Sequence, residues 1–412
     1  MEVFRRLALE TETVISSTDE TFLIAETGAL YACGYNCVGQ LGIGDSENRS
    51  TLTKVPLEES VKTVVVNNSS VLVLTRSGAL YACGYNAFGQ LGLGDTSDRS
   101  TLQRVPLEES VKTVVTSGSS TYVLTVSGAL YACGNNAFGQ LGIGDSENRS
   151  LLTRVPLTES VVTIGTGNHF IFALTVSGAV YACGDNSSGQ LGLGDYQNRS
   201  TLQRVPLDER AKAVVLDGDS TFIIAVSGAL YACGNNYYGQ LCFGDSQGRS
   251  TLQRVRLEER VKTVVAVYGT TFVIIVSGAL YACGYNFSDQ LGLGLGLEGS
   301  WGIPTLRRVP LAESAKTVVT ASGSTFVLTV SGALYACGLN GCGQLGLEDS
   351  SRRSTLTKVP LGETVKTVGT NSYSAFATAV SGEVYACGVN YYGQLGLGDS
   401  QDRSTFTRIQ LE

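Results

Sequence analysis

Charged residues are scarce in this sequence, and three residue types occur only once. Of 412 residues, 16% are Asp, Glu, Lys or Arg, and the chain has one histidine, one methionine and one tryptophan. The formal net charge is −7. Proteins that follow a phosphate backbone usually carry a basic patch. We therefore expect no direct nucleic-acid partner for this acidic chain.

Long apolar runs are absent as well. A membrane-spanning helix needs about 20 consecutive apolar residues, and the sequence contains no such run. Residues 1–6 lead into no apolar segment of the kind that forms a secretory signal. These absences predict no membrane contact and an intracellular protein, either cytoplasmic or nuclear.

Cysteine is plentiful, with 11 residues, but its spacing does not suggest pairs. Eight of the cysteines occupy the same place in a recurring string, Tyr-Ala-Cys-Gly. They are Cys33, Cys83, Cys133, Cys183, Cys233, Cys283, Cys337 and Cys387. Equivalent positions in successive repeats predict repeated packing residues that stay unpaired. A reducing compartment is the simplest setting for them.

A repeat of about 50 residues organises the whole chain. The string Ser-Gly-Ala-Leu-Tyr-Ala-Cys-Gly, or a close variant, recurs eight times at steps of 50 residues and one of 54. Within the second unit we predict four strands, at residues 62–66, 71–75, 79–85 and 102–107, because these segments are short, apolar and bounded by turn residues. No segment shows the 3.6-residue period of a helix.

A four-stranded sheet that is covered on both faces and repeated in series is typical of a β-propeller. We predict an all-β chain that forms one closed propeller domain over residues 1–412. The repeat units are expected at 1–50, 51–100, 101–150, 151–200, 201–250, 251–304, 305–354 and 355–412. Residues 4–9 resemble residues 406–411, so a terminal strand is expected to complete the blade begun by the other terminus and close the ring.

The string Gly-x-Asn-x-x-Gly-Gln-Leu-Gly, at residues 84–92 and in most other units, resembles the signature of the regulator of chromosome condensation (RCC1) repeat family. The resemblance covers essentially the whole chain. It implies a propeller used for protein recognition, in some members for nucleotide exchange on a small GTPase of the Ran type. That family usually has seven blades, whereas eight copies favour eight blades here.

The sequence departs from this family in several places. Cysteine stands where tryptophan is common, and the His-Thr pair often found before the second strand is reduced to His169. We find no long insertion that would act as an exchange wedge and no basic tail for chromatin. Trp301 is the only tryptophan, which excludes the light sensing by clustered indoles that one plant relative performs.

The eight units differ from one another mainly in the loops after their first and third strands. In an up-and-down sheet these two loops emerge at the same end, and here they are rich in aromatic residues. Aromatic side chains are common interface anchors, so we predict that this end binds a partner. The candidate residues are Tyr35, Tyr85, Phe88, Phe138, His169, Asp185, Asp219, Tyr237, Tyr238, Tyr268, Tyr285, Phe287, Trp301, Tyr391 and Tyr392. Neutral drift at unconstrained loop tips is the alternative.

Other motifs predict no chemistry. Gly42-Ile43-Gly44-Asp45 lacks the lysine of a phosphate-binding loop, and we expect Asp45 and Arg49 to form a local ion pair. Zinc usually needs paired cysteines or histidines, so no metal and no cofactor are expected. No unit offers a serine elbow beside His169. The chain is therefore expected not to be an enzyme.

The sixth unit breaks the symmetry. It carries an insertion at residues 295–304 with Trp301, and Asp289 replaces a glycine. The insertion is either a contact element or a tolerated surface change.

Three hypotheses remain open for the function. The first is a monomeric protein-binding scaffold that presents the variable aromatic face to a protein partner. The second is a guanine nucleotide exchange factor, with Asp185, Asp217 and Asp219 as acidic residues able to act on the nucleotide site of a small GTPase. The third is a structural or idealised repeat protein without a specific partner.

Overall fold

A computed structural model describes residues 11–16, 20–25, 27–67, 69–295, 301–370, 373–391, 395, 397 and 399–409. Strands are the only regular elements in these ranges. In the described part of the chain, no helix is long and apolar enough to cross a membrane.

Sixteen strands form the first four sheets. They are β1 (Thr11–Ser16), β2 (Glu20–Ala25), β3 (Leu30–Gly34), β4 (Arg49–Lys54), β5 (Val61–Asn67), β6 (Ser70–Thr75), β7 (Leu80–Gly84), β8 (Arg99–Arg104), β9 (Val111–Ser117), β10 (Ser120–Thr125), β11 (Leu130–Gly134), β12 (Arg149–Arg154), β13 (Val161–Thr166), β14 (Phe170–Thr175), β15 (Val180–Gly184) and β16 (Arg199–Arg204).

Sixteen more strands form the other four sheets. They are β17 (Ala211–Asp217), β18 (Ser220–Ala225), β19 (Leu230–Gly234), β20 (Arg249–Arg254), β21 (Val261–Val267), β22 (Thr270–Ile275), β23 (Leu280–Tyr285), β24 (Gly302–Arg308), β25 (Ala315–Ala321), β26 (Ser324–Thr329), β27 (Leu334–Gly338), β28 (Arg353–Lys358), β29 (Val365–Thr370), β30 (Ser374–Ala379), β31 (Val384–Gly388) and β32 (Arg403–Arg408).

Each sheet contains four consecutive antiparallel strands in chain order, which makes the eight sheets the blades of a β-propeller. The predicted all-β fold and eight blades are confirmed. By residue contacts the chain divides into two compact units, one containing blades 1–4 and the other blades 5–8.

The fourth strand of each blade lies earlier in the sequence than predicted. In blade 2 the first three strands match the prediction closely, but β8 runs from Arg99 to Arg104 and ends before Pro106. Proline lacks the N–H that would extend the ladder. The strand was misplaced because its residues are half-exposed and mostly polar, so an apolar pattern does not mark them.

The terminal strand also differs from the expectation. β32 pairs with β31 and is the fourth strand of the sheet that begins with β29, so this blade is complete from its own consecutive strands. Blade 1 likewise has four strands of its own, beginning at Thr11. Residues 4–9, which were expected to share a blade with the other terminus, lie outside the described residues.

The core lies between successive blades. Phe22 and Ile24 of blade 1 pack in one buried cluster with Val71, Val73 and Cys83 of blade 2. The second strands are apolar on both sides, as the sequence predicts, because one side faces the preceding blade and the other faces the next. Every residue of β6 is buried.

Polar groups also join neighbouring blades. The carbonyl of Gln90 in blade 2 accepts a hydrogen bond from the Thr121 hydroxyl of blade 3 at 2.8 Å and from the Cys133 thiol at 3.6 Å. Burial raises the pKa of the Cys133 thiol far above its ordinary value. Six of the repeated cysteines are thus small, protonated packing residues that also donate to the preceding blade: Cys83, Cys133, Cys183, Cys233, Cys337 and Cys387.

One of the eight repeated cysteines contradicts the prediction that they are unpaired. Cys283 of blade 6 forms a disulfide with Cys242 of blade 5, whereas the other seven are free. Cys242 stands where other units have glycine, as at Gly92. A Cβ added at Gly92 would lie 3.3 Å from the sulfur of Cys133, so a cysteine at this position meets the next blade's thiol. The disulfide weakens the prediction of a reducing compartment, because that prediction rested on unpaired cysteines.

Candidate protein-binding surface

The two loops predicted to share one end of each blade are hydrogen-bonded to each other. In blade 2 the amide of Tyr85 donates to the carbonyl of Ser69 at 3.0 Å, and in blade 5 the amide of Asn235 donates to the carbonyl of Asp219 at 2.9 Å. We call these two loops of each blade the variable loops. Their pairing places the variable residues of a blade side by side.

A buried asparagine fixes the backbone of the longer variable loop. The Asn86 side chain donates to the carbonyls of Asp95 and Ser97, both at 3.0 Å, and accepts from the amide of Leu91 at 3.0 Å. The amide of Asn86 in turn donates to the Asp98 carboxylate at 2.8 Å. Because the asparagine holds the loop from inside, the outward positions 87 and 88 are free to differ between units.

The predicted ion pair braces the same loop. Arg99 Nη2 lies 2.5 Å from Asp95 Oδ2, and Arg49 pairs with Asp45 in the same way. The side-chain hydrogen bond from Arg99, followed by the backbone amide of Ser97, lowers the pKa of Asp95 below its ordinary value. Each pair is half-exposed, so it contributes modestly on its own.

In blades 2, 3, 4, 7 and 8 the opposite end is held by a repeated glutamate. Glu59 accepts hydrogen bonds from the hydroxyls of Ser77 at 2.6 Å and Tyr81 at 2.7 Å, and these donors lower the pKa of its carboxyl. Glu109 makes the same contacts in blade 3. The sequence is constant at this end because each residue of the glutamate network has a fixed partner.

The predicted aromatic residues differ in exposure. Tyr35, Phe138, Tyr237, Tyr268, Phe287, Trp301 and Tyr391 are exposed. Tyr85, Phe88, His169, Tyr238 and Tyr285 are partly buried. Tyr392 lies outside the described residues. Most of the predicted surface therefore reaches solvent.

Five of these side chains form one continuous series of ring contacts on blades 5 and 6. Tyr237 meets Tyr238 with ring centroids 4.9 Å apart, Tyr238 meets Tyr285 at 4.7 Å, Tyr285 meets Phe287 at 6.4 Å, and Phe287 meets Trp301 at 5.1 Å. We call these five residues the aromatic row. The inserted segment of blade 6 thus contributes Trp301 to an aromatic surface.

Tyr268 stands beside the row in a strained conformation. It has a φ of 52°, a region that bulky residues rarely adopt, and its side chain is 72% exposed. The Asp217 carboxylate of blade 5 accepts from the amides of Tyr268 and Gly269 at 2.8 and 2.7 Å. Asp217 therefore positions the loop of the next blade, a role that sequence reasoning missed.

The acidic residues considered for nucleotide exchange are engaged within the protein. The buried Asp185 carboxylate accepts from the amide and hydroxyl of Ser187 at 3.2 and 3.0 Å. Asp217 holds the Tyr268 loop, and burial raises the pKa of its carboxyl. Asp219 is partly buried, and its charge also raises the pKa of Asp217.

A second, smaller aromatic contact lies on blades 3 and 4. The rings of Phe138 and His169 stack with centroids 4.9 Å apart and an angle of 26° between their planes. His169 has a φ of 59°, so this loop tip is held in a left-handed conformation as well. The sole histidine packs against a predicted interface residue.

A cavity of about 300 Å³ opens next to the aromatic row, between the variable loops of blades 6 and 7. Its lining combines two tyrosines with hydroxyl and amide side chains. The lining residues are Val267, Tyr268, Thr270, Tyr285, Ser288, Gln290, Thr320, Ser322 and Gly323. The small polar members, such as Ser288 and Ser322, carry no sequence signal that sets them apart.

The substituted glycine of blade 6 has a structural role. Asp289 is buried with a φ of 59°, and its carboxylate forms an ion pair with Arg352 of blade 7 at 2.7 Å. Arg352 also donates to the carbonyl of Phe287. The unusual Arg-Arg sequence in the seventh unit was the available signal for this link.

The model of the RCC1-like domain family matches residues 21–268 and 97–369, and that of the regulator of chromosome condensation (RCC1) repeat matches residues 381–410. No curated protein sequence matches the chain.

Several solved structures share the fold. Human WBSCR16 has 21% identity and a TM-score of 0.62, over 83% of this chain and 96% of that one. Prp20p from Saccharomyces cerevisiae, studied with its binding to Gsp1p and histones, has 21% identity and a TM-score of 0.60, over 82% and 87%. Yeast RCC1 (Prp20) bound to Kap60 has 20% identity and a TM-score of 0.59, over 80% and 83%.

Proposed function

Because the chain belongs to the RCC1-like domain family, we propose that it is a non-enzymatic, protein-binding propeller whose variable loops contact a protein partner. The single observation that carries this proposal is the aromatic row, where Tyr237 is 74% and Trp301 is 64% exposed. Exposed aromatic clusters on a rigid scaffold are typical of interfaces rather than of isolated surfaces.

The rest of the molecule supports a binding role. The variable loops are fixed from inside by hydrogen bonds such as those of Asn86, so their outward residues are displayed on a rigid frame. A preordered loop loses little conformational entropy when it binds. We propose that the protein acts in the cytoplasm or nucleus as a monomer without a cofactor.

The test is partner capture by the immobilised protein. A variant with Tyr237→Ser, Phe287→Ser and Trp301→Ser removes exposed rings from the row, whereas a control variant with Val126→Ser, Val226→Ser and Val330→Ser alters exposed residues of the opposite end. A protein captured by the parent and by the valine variant, but lost from the aromatic variant, supports the proposal. Capture that only the valine variant loses would place the working surface at the other end.

Nucleotide exchange on a small GTPase is the second candidate function, because Prp20p, a solved structure with the same fold, was studied with its binding to Gsp1p. The internal hydrogen bonds of Asp185 and Asp217 weigh against it, since these carboxylates are already occupied. The measurement is release of labelled GDP from Ran in the presence of the protein. Faster GDP release would make nucleotide exchange the leading function. If the capture experiment finds no partner, a structural repeat protein is favoured instead.

A further inference from the structure

We propose that the aromatic row binds a proline-rich, extended segment of a partner protein, an inference that rests on the proposed function and names the partner's chemistry. Proline-rich segments adopt the polyproline II conformation and bind grooves lined by aromatic side chains. Three features of the site favour this occupant over others: its ring contacts, its neutral polar cavity, and the pairing of the charges around it.

The ring contacts supply a series of apolar faces at different angles. The successive interplanar angles are 87°, 58°, 15° and 29° from Tyr237 to Trp301. The Tyr237–Tyr238 and Tyr238–Tyr285 pairs are tilted, whereas Tyr285–Phe287 and Phe287–Trp301 are stacked, so we infer shallow clefts at the two tilted pairs. A pyrrolidine ring is small and rigid enough to enter such a cleft with little loss of entropy.

The cavity beside the row supplies hydrogen-bond donors. Tyr285 belongs both to the row and to the cavity wall, which also includes Ser288, Gln290 and Ser322. Hydroxyl and side-chain amide groups donate to carbonyl oxygens. The polyproline II helix has no internal hydrogen bonds, so its carbonyls are available to these donors.

Two carboxylates near the site, those of Asp217 and Asp289, are paired within the protein. None of the described residues that line the cavity carries a charge. The Asp217 carboxylate is bonded to the backbone of Tyr268 and Gly269, and Asp289 pairs with Arg352. A strongly basic or phosphorylated segment would meet no opposite charge among the described residues of the cavity wall, whereas an uncharged segment has no charge to desolvate there.

A helical segment fits less well. Its backbone carbonyls are bonded within the helix, so it makes no use of the donors that line the cavity. Helices also bind through rows of aliphatic anchors in a broad apolar groove. The aromatic row instead offers tyrosine hydroxyls next to ring faces, the combination that an extended proline-rich backbone uses.

Trp301 allows a direct test, because it is the only tryptophan in the chain. Decaproline is titrated into the full chain while tryptophan emission is followed, and a Gly-Ser peptide of equal length is the control probe. Fluorescein-labelled decaproline gives an independent reading by anisotropy. We expect saturable binding of decaproline with a shift in Trp301 emission, and no response to the Gly-Ser peptide.

Variants locate the binding. Tyr237→Ser and Phe287→Ser should each weaken decaproline binding by about tenfold, the effect expected for removing an aromatic anchor. The matched control Tyr196→Ser removes an exposed tyrosine from blade 4 that is not among the candidate binding residues, and it should leave binding unchanged. Circular dichroism and thermal unfolding confirm that each variant is folded.

The outcomes separate this inference from the proposed function. Absence of saturable binding up to about 1 mM decaproline, or binding that the row variants leave intact, overturns the inference. The inference is also overturned if Trp301 emission responds to an oligo-lysine or an amphipathic helical peptide and not to decaproline. If decaproline fails while a protein partner is still captured through the row, the proposed function stands and only the partner's chemistry is wrong.

Discussion

The carboxylate of Asp217 in blade 5 holds the backbone of Tyr268 in blade 6, with 2.8 Å between the carboxylate oxygen and the amide nitrogen. The two residues belong to neighbouring repeats, so the display of one exposed tyrosine depends on the adjacent blade. Related links join Asn67 to the Gly118 carbonyl and Ser117 to the Gly167 carbonyl. Adjacent variable loops are thus ordered by one another.

Asp217→Ala should destabilise this part of the protein. The change leaves two amides of a strained loop without their acceptor, at a cost of about 1–3 kcal/mol. Asp217→Asn keeps one carbonyl acceptor and should cost less. Urea unfolding measures the difference, with Asp208→Asn as the control because Asp208 is an exposed carboxylate. Equal stability of all three variants would contradict a positioning role for Asp217.

The pH dependence of the Asp217 contribution should be opposite to that of most acidic groups. Burial raises the pKa of Asp217 in the folded protein above its ordinary value of 3.8. The folded state therefore gains stability from protonation, and this gain is lost as the pH rises through the folded pKa. The unfolding free energy of the parent should therefore fall relative to that of Asp217→Asn as the pH rises from 4 toward neutrality. A difference independent of pH would contradict the raised pKa.

The protein as a whole should lose stability in acid. Seven aspartates of the repeated ion pairs and five glutamates of the repeated networks have lowered pKa values: Asp45, Asp95, Asp145, Asp195, Asp245, Asp349, Asp399, Glu59, Glu109, Glu159, Glu313 and Glu363. Their contribution is complete above the ordinary values of 3.8 and 4.5 and is lost as the pH falls through the lower folded values.

Thermal unfolding from pH 7 downward measures this acid dependence. The melting temperature should fall steeply below about pH 4. Asp95→Asn removes one of the lowered carboxyls and should make the fall slightly shallower. A melting temperature that stays level through this range would show that the repeated carboxylates do not stabilise the folded state.

Gly92→Cys should form a new disulfide with Cys133. A Cβ at Gly92 lies 3.3 Å from the Cys133 sulfur, and Cys242 already occupies the equivalent position with a φ of 64° beside Cys283. The variant gains one cysteine and loses two thiols to the bond. Thiol titration of the oxidised, denatured protein should therefore find one free thiol fewer than in the parent.

Gly94→Cys is the control for this experiment. A Cβ at Gly94 has the Leu151 side chain as its nearest neighbour, so this variant should show one free thiol more than the parent. An increase in both variants would mean that the glycine position does not direct a side chain to the next blade's cysteine.

Asn86→Ala should be strongly destabilising. It removes the hydrogen bonds to the Asp95 and Ser97 carbonyls and to the Leu91 amide from the interior of the loop. Losses of this kind cost about 1–3 kcal/mol for each buried group left unsatisfied. Hydrogen exchange should show faster exchange at residues 86–92 than in the same loop of blade 3, which serves as the internal control.

Much of the fold follows from sequence periodicity. The two middle strands of blade 2, β6 and β7, are largely apolar and buried because they face neighbouring blades, and the sequence therefore marks them. The outer strand β8 is half-exposed, so packing does not constrain its composition. The pairing of the variable loops followed from the alternation of strand direction and is confirmed by the bond from Tyr85 to Ser69.

The sequence predicts which residues belong to the site but not how those residues are arranged. The sequence identifies Tyr237, Tyr285 and Trp301 as loop aromatics, but their contact depends on how close neighbouring blades lie. Asp217 was considered for its charge, whereas its role depends on the backbone of the next blade. The disulfide was missed because only the eight repeated cysteines were compared with one another. Cys242 is not one of these eight, since it replaces a glycine of the repeat.

The Cys242–Cys283 disulfide has a mechanical consequence for the aromatic row. Cys242 follows Tyr238 on blade 5 by four residues, and Cys283 precedes Tyr285 on blade 6 by two. The covalent link therefore crosses the same blade junction as the 4.7 Å contact between those two tyrosines. Reduction would remove a covalent constraint on that junction, so we expect the mobility of the aromatic row to depend on the thiol–disulfide balance around the protein.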